Sequence, residues 1–194
     1  MVVPPTCMTD SKPRLRRLFR EARHCFVAGL TPAERGALYH DLARVAAPVV
    51  AGFAIPGSYS AIGDEIDPAA IAREFADLAL PRIDGDHINF RRSRSAALVP
   101  GVLGILEPPA DAPQVTPDLL LVPLLAVTLA GVRLGQGNGH YDRALAALLA
   151  RAPVRTVALA WDCQIAEALP IDPWDIPVDF IATPTRLVDC RAFR

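Results

Sequence analysis

Leu119-Leu120-Leu121-Val122-Pro123 is the most apolar strand-length run in the chain, and Arg133-Leu134-Gly135-Gln136-Gly137-Asn138-Gly139-His140-Tyr141-Asp142 follows it. The first run reads as a strand buried on both faces, which is how strands of a helix-covered parallel sheet look. The second reads as a glycine-rich loop that feeds a helix over 144–151. Working outward, 49–55 is a further buried strand bounded by prolines, 78–83 another, and 88–91 a short strand after the turn Asp84-Gly85-Asp86. Downstream, 156–160 and 180–183 read as strands and 164–169 as a helix. Upstream, apolar Leu15, Leu18, Phe19, Ala22 and Phe26 mark one face of a helix over 12–28, with Arg14, Arg16, Arg17, Arg20 and Arg23 on the other. Thr31-Pro32-Ala33-Glu34 is a capping-box start for a helix running to about Ala46, and Asp64-Glu65-Ile66-Asp67-Pro68 opens one over 69–77. Residues 93–117 form a long connection without period, and 1–10 a loose tail ahead of a single domain over 11–194. Strands alternating with helices predict an α/β fold, a largely parallel central sheet flanked by helices in three layers. Ligands of such sheets bind beyond the carboxyl ends of the strands, which makes the glycine segment the first place to look.

Gly135, Gly137 and Gly139 let backbone N–H groups approach an oxyanion without a Cβ in the way. Successive N–H groups in such a bend form an anion nest, and the helix behind it adds its positive end. The spacing is neither that of a Walker loop nor that of a dinucleotide loop. On spacing alone, the glycines serve equally as a tight strand-to-helix connection. His140, Tyr141 and Asp142 place a polar tip, a ring and a carboxylate at the mouth of the loop. A carboxylate beside a phosphate nest suggests a Mg²⁺ bridge, since Mg²⁺ commonly takes one or two carboxylates plus phosphate oxygens.

Of 194 residues, 52% are hydrophobic and 21% charged, enough for a real core and incompatible with a wholly disordered chain. A net charge of −1, from 20 basic and 21 acidic residues, argues against a dedicated nucleic-acid binder. Lys12 is the only lysine, so it is the only compact ammonium group available to the chemistry. No apolar run is long enough to span a membrane. No basic leader with an apolar stretch opens the sequence, and the four cysteines form no metal-binding pair. A cytoplasmic protein with reduced thiols is the expectation.

The loop, together with the Leu-Val-Pro run and the Tyr-Asp-Arg that follows the glycines, resembles the 5-formyltetrahydrofolate cyclo-ligases, or 5,10-methenyltetrahydrofolate synthetases. Further segments match in the same order: Lys12-Pro13-Arg14-Leu15-Arg16, Gly63-Asp64-Glu65-Ile66-Asp67, Gly101 to Pro108, Leu159 to Gln164 and Trp174 to Asp179. The resemblance implies the three-layer sheet shared with sugar-phosphate isomerases and CoA-transferases, in a monomer. It implies ATP- and Mg²⁺-dependent conversion of 5-formyltetrahydrofolate to 5,10-methenyltetrahydrofolate. The formyl oxygen is phosphorylated, N10 attacks, and phosphate leaves. A binding protein for folate or nucleotide without turnover is the alternative.

Carried over by position, Lys12 and Arg16 contact ATP phosphates, and four residues apart on a helix they share a face. Arg133, Leu134, Gly135, Gln136, Gly137, Asn138, Gly139, His140 and Tyr141 hold the nucleotide. Glu65 meets the pterin or formyl end of the folate, and Gln136 to His140 also face that substrate. Lys12, Glu65 and Tyr141 are the expected catalytic residues, and Asp142 and Asp175 the Mg²⁺ carboxylates. Several positions depart from the family pattern. Gln136 and Asn138 are neutral, so Lys12, Arg16 and Arg133 must supply most of the phosphate charge. His140 and Leu103 stand where aromatics are common, and Val127-Thr128 where Phe-Asp is usual.

Overall fold

Alternation of side chains along the Leu119 run explains the architecture of the chain. A computed structural model describes residues 6–93, 98–102 and 104–193; residues 1–5 of the expected tail and Leu103 lie outside them. The strands are β1 (Pro56–Gly57), β2 (Ala79–Asp84), β3 (His87–Arg92), β4 (Val99–Pro100), β5 (Leu106–Glu107), β6 (Leu119–Val122), β7 (Ala126–Val127), β8 (Arg133–Leu134), β9 (Arg155–Leu159), β10 (Phe180–Ala182) and β11 (Leu187–Asp189). The helices are α1 (Lys12–Ala28), α2 (Pro32–Val50), α3 (Ala69–Ala72) and α4 (His140–Leu149). A seven-stranded sheet has the order β11-β10-β9-β6-β1-β2-β3. Neighbours from β10 to β2 pair in parallel, and the edge strands β11 and β3 pair antiparallel.

In β6 all four residues are buried. Leu119 and Leu121 pack with Leu42, Ala46, Val49 and Val50 of α2. Leu120 and Val122 pack with Ala144, Leu145 and Leu148 of α4. The two-residue period of a strand thus feeds two cores and produces three layers. A third cluster joins Leu15 and Phe19 of α1 to Leu125, Ala126 and Leu134 around the β7–β8 hairpin. That contact brings the start of α1 beside the glycine loop.

The structure corrects several expectations. The strand expected over 49–55 is the end of α2 followed by a turn. Leu42, Ala46, Val49 and Val50 sit four, seven and eight residues along, a helical face that a short apolar run does not distinguish from a strand. Both arms of the capping box at Thr31 and Glu34 form as expected. The helix over 69–77 stops after Ala72, and Asp77 instead pairs with Arg92 at 2.9 Å next to the entry of β2. No helix covers 164–169. Gln164 caps Trp161 N and donates to the carbonyls of Leu124 and Leu125, and Ile165 bridges to Val127, so the chain is held extended along β7. β4 and β5 lie inside the connection expected to lack structure. The glycine loop follows β8 of a small hairpin rather than a strand of the central sheet. β7, β11 and the closing 3-10 turn Cys190–Phe193 escape the sequence reading.

Candidate active site

β1 and β6 end at one side of the sheet, and the residues just past them, Tyr59 and Ser60, Pro123 and Leu124, line a cleft of about 400 Å³. The rule for parallel sheets locates the cleft correctly, although the loop reaches it by another route. Every residue singled out from the sequence lines it: Lys12 and Arg16, Glu65, the whole of Arg133 to Asp142, and Asp175. Ile83 and Ile88 of the β2–β3 hairpin, with Ile105 and Leu106, supply an apolar part.

Two glycines make the loop. Gly137 has φ +116° and Gly139 φ +65°, conformations that L side chains rarely adopt. Gly139 is the N-cap of α4, which begins at His140 rather than at 144, so His140, Tyr141 and Asp142 are its first turn. The positive end of the helix therefore points into the cleft. Arg16 Nε donates to Gly135 O at 3.0 Å. Its guanidinium packs close to Gly137, where a Cβ would stand 3.3 Å from Cζ. The Asn138 backbone carbonyl accepts from Arg143 at 2.9 Å, and the residue is exposed.

The cations are paired. Lys12 Nζ lies 2.7 Å from Asp172 and 2.6 Å from Asp175. Burial alone would lower its pKa, but the two carboxylates outweigh burial and raise it, so the ammonium stays charged at neutral pH. Arg133 pairs with Asp142 and donates to Ile176 O. Burial and then the approach of Arg143 push the His140 imidazole below its ordinary value. It is neutral at pH 7, and offers hydrogen bonds or a ring face rather than charge. Burial, then Glu65, raises the Tyr141 phenol, which stays protonated. Glu65 accepts from Ile62 N at 3.0 Å and from Gln136 at 3.2 Å, and Gln136 accepts from Arg20 at 2.9 Å.

Sequence reading missed Asp172 and Arg23. The spacing puts Arg23 on the cationic face of α1 opposite the apolar one, yet Leu15, Phe19, Arg23 and Val27 are its buried stripe. The four-residue spacing from Phe19 was the available signal. Arg23 donates to Leu124 O at 3.3 Å and stands 3.7 Å from Glu65, both side chains nearly fully buried. Arg23→Leu leaves that carboxylate without its cation and is expected to cost about 3–5 kcal/mol of stability. Urea denaturation measures it, and an unshifted midpoint rejects the pairing.

Among the residues lining the cleft, five carboxylates (Glu65, Glu107, Asp142, Asp172, Asp175) face three permanent cations (Lys12, Arg16, Arg133). A polyanion could not be neutralised there by side chains alone. No cluster of three metal-ligating side chains exists among the described residues. The donor set therefore suits a divalent ion that arrives with phosphate oxygens and takes one or two carboxylates, the usual habit of Mg²⁺.

Fold and cleft together define a three-layer α/β domain whose cleft is lined by a glycine-rich loop and an apolar wall. The model of the 5-formyltetrahydrofolate cyclo-ligase family matches residues 62–184. The chain is 40% identical over 94 residues to the 5-formyltetrahydrofolate cyclo-ligase of Escherichia coli K12, covering 46% of this chain and 51% of that enzyme. It is 36% identical over 103 residues to the enzyme of that name from Mycolicibacterium smegmatis, covering 51% and 52%. The matched segment thus spans about half the length of these relatives. The solved structure of Aquifex aeolicus 5,10-methenyltetrahydrofolate synthetase superimposes with a TM-score of 0.76 at 31% identity, covering 93% of each chain. The Mycoplasma pneumoniae synthetase, at 20% identity and a TM-score of 0.68, shares the fold. The chain belongs to the 5-formyltetrahydrofolate cyclo-ligase family.

Proposed function

We propose that the protein uses ATP to close 5-formyltetrahydrofolate into 5,10-methenyltetrahydrofolate. The observation that carries the reading is the meeting, in one cleft, of the glycine bend, Lys12, Arg16 and the carboxylates Asp142 and Asp175. Transfer of the γ-phosphoryl group to the formyl oxygen needs alignment and charge neutralisation, not a nucleophile from the protein. Lys12, Arg16 and Arg133 would hold the phosphates with the amides of 135–139. Glu65, held from behind by Arg23, would face the folate, with the Tyr141 hydroxyl beside it. N10 then attacks the formyl carbon and phosphate departs. Asp142 and Asp175 would hold Mg²⁺, which when bound neutralises the transferring phosphoryl group.

Appearance of the methenyl chromophore only when both ATP and 5-formyltetrahydrofolate are present is the expected result. Chromophore without ATP rejects the reading, and so does tight folate binding without turnover. Asp142→Asn releases Arg133 and removes one metal carboxylate. The Mg²⁺ concentration for half-maximal activity should rise by about tenfold or more; an unchanged metal titration rejects the assignment.

The proposal extends to a cytoplasmic monomer. No described helix is long and apolar enough to cross a membrane, and no disulfide joins the four cysteines. A dimer on light scattering would overturn the monomeric part.

A further inference from the structure

One buried carboxylate in the cleft is left unused by this chemistry. Glu107, in β5, is 2% exposed and lines the cleft. Both of its carboxylate oxygens are buried, and neither accepts a hydrogen bond from the described residues. The nearest cation, Arg82 Nη1, is 3.7 Å from Oε2 and donates instead to Pro108 O at 2.9 Å. The charge of Glu107 is thus balanced while its lone pairs stay unfilled. Gly101 makes room for this arrangement, since a Cβ there would lie 2.1 Å from Glu107 Cδ. A buried acceptor without a donor is costly and marks a place where a ligand supplies the donors.

The surroundings say which ligand. Pro81, Ile83, Ile88, Ile105 and Leu106 line the same cleft and carry no side-chain donor. Apolar walls around an anionic group repel a triphosphate and suit the faces of a flat heterocycle. A 2-amino-4-oxopyrimidine ring presents N3–H and an amino N–H side by side along one edge. A carboxylate presents two acceptors at matching separation, and such paired, charge-assisted bonds are both strong and geometrically selective. We propose that Glu107 determines specificity for the pterin, its two oxygens accepting from N3–H and the 2-amino group. The inference rests on the folate reading above and assigns the part of the cleft that recognises the ring.

The test compares binding of 5-formyltetrahydrofolate with its analogue carrying methyl in place of the 2-amino group. The wild type should favour the natural ligand by at least about tenfold, because losing one partner leaves a buried acceptor unpaired. Glu107→Leu should bind both ligands weakly, with a preference within about threefold, while the Michaelis constant for ATP stays near its wild-type value. If Glu107→Leu does not fold, Glu107→Gln decides. It keeps the size but turns one acceptor into a donor, and should lose about tenfold in affinity for the natural folate. An undiminished preference in a folded Glu107→Leu, or wild-type folate affinity in Glu107→Gln, overturns the assignment. No preference in the wild type overturns it as well. A wild type that binds neither folate overturns the functional reading itself, a separate outcome.

Discussion

Lys12→Ala raises the Michaelis constant for ATP by about 100-fold or more, the equivalent of about 3 kcal/mol of charge-assisted bonding. The loss is large for two reasons that act together. Lys12 carries the only ammonium side chain, so no neighbouring lysine can take its place. Its Nζ sits between Asp172 and Asp175 at 2.7 and 2.6 Å. On the proposed function, removing it does more than delete a phosphate contact. It leaves two carboxylates uncompensated where the proposed function places the ATP phosphates, and their repulsion adds to the lost attraction. Some stability should be lost as well, because Asp172 and Asp175 lose the cation that pairs them, so the kinetics are read on a variant shown to be folded by circular dichroism. The Michaelis constant for 5-formyltetrahydrofolate should move far less than that for ATP. Steady-state kinetics with each substrate varied in turn reads both, and unchanged ATP kinetics rejects the role.

Gly137→Val weakens nucleotide binding by about 100-fold, through a backbone cost of about 1–3 kcal/mol for a β-branched residue at positive φ and a displaced Arg16. At φ +116° the new Cβ would stand 3.3 Å from the Arg16 guanidinium carbon. Arg16 also holds Gly135 O, so pushing it aside disturbs the bend at both ends. Gly137 is exposed and belongs to none of the three hydrophobic clusters. Thermal unfolding should therefore stay close to wild type while calorimetric titration with ATP shows the loss. Gly137→Ala should fall between the two proteins, since its methyl meets the same φ without branching. Wild-type nucleotide affinity in Gly137→Val would show that the bend is only a connection.

The glycine loop, Lys12, Arg16, Glu65 and Asp175 were legible through the ordered motifs of the family resemblance; by residue type alone each has a common structural use. All of them line the cleft. Arg23 was not legible, because an arginine within an arginine-rich helix reads as solvated until its four-residue spacing from Phe19 is seen to be the buried stripe. Asp172 lay outside every motif, and Glu107 lay inside the matched segment Gly101 to Pro108 with no role assigned to it. The first is defined only by meeting Lys12 from 160 residues away. The second is defined by what does not bond to it.

Local periodicity was enough to establish that this chain forms an α/β sheet, that the Leu119 run is a strand buried on both faces, and that a glycine bend precedes a helix. Those features depend on contacts a few residues apart and on which faces are apolar. Where an apolar run ended as helix instead of strand, at Val49 and Val50, the choice was made by packing against Leu119 and Leu121. The pairing of each cation with its carboxylate, and the bare oxygens of Glu107, were settled in the same way by distant segments meeting. Electrostatic and hydrogen-bond partners are properties of distance in space, and a linear order of residues does not contain those distances until the cores have closed.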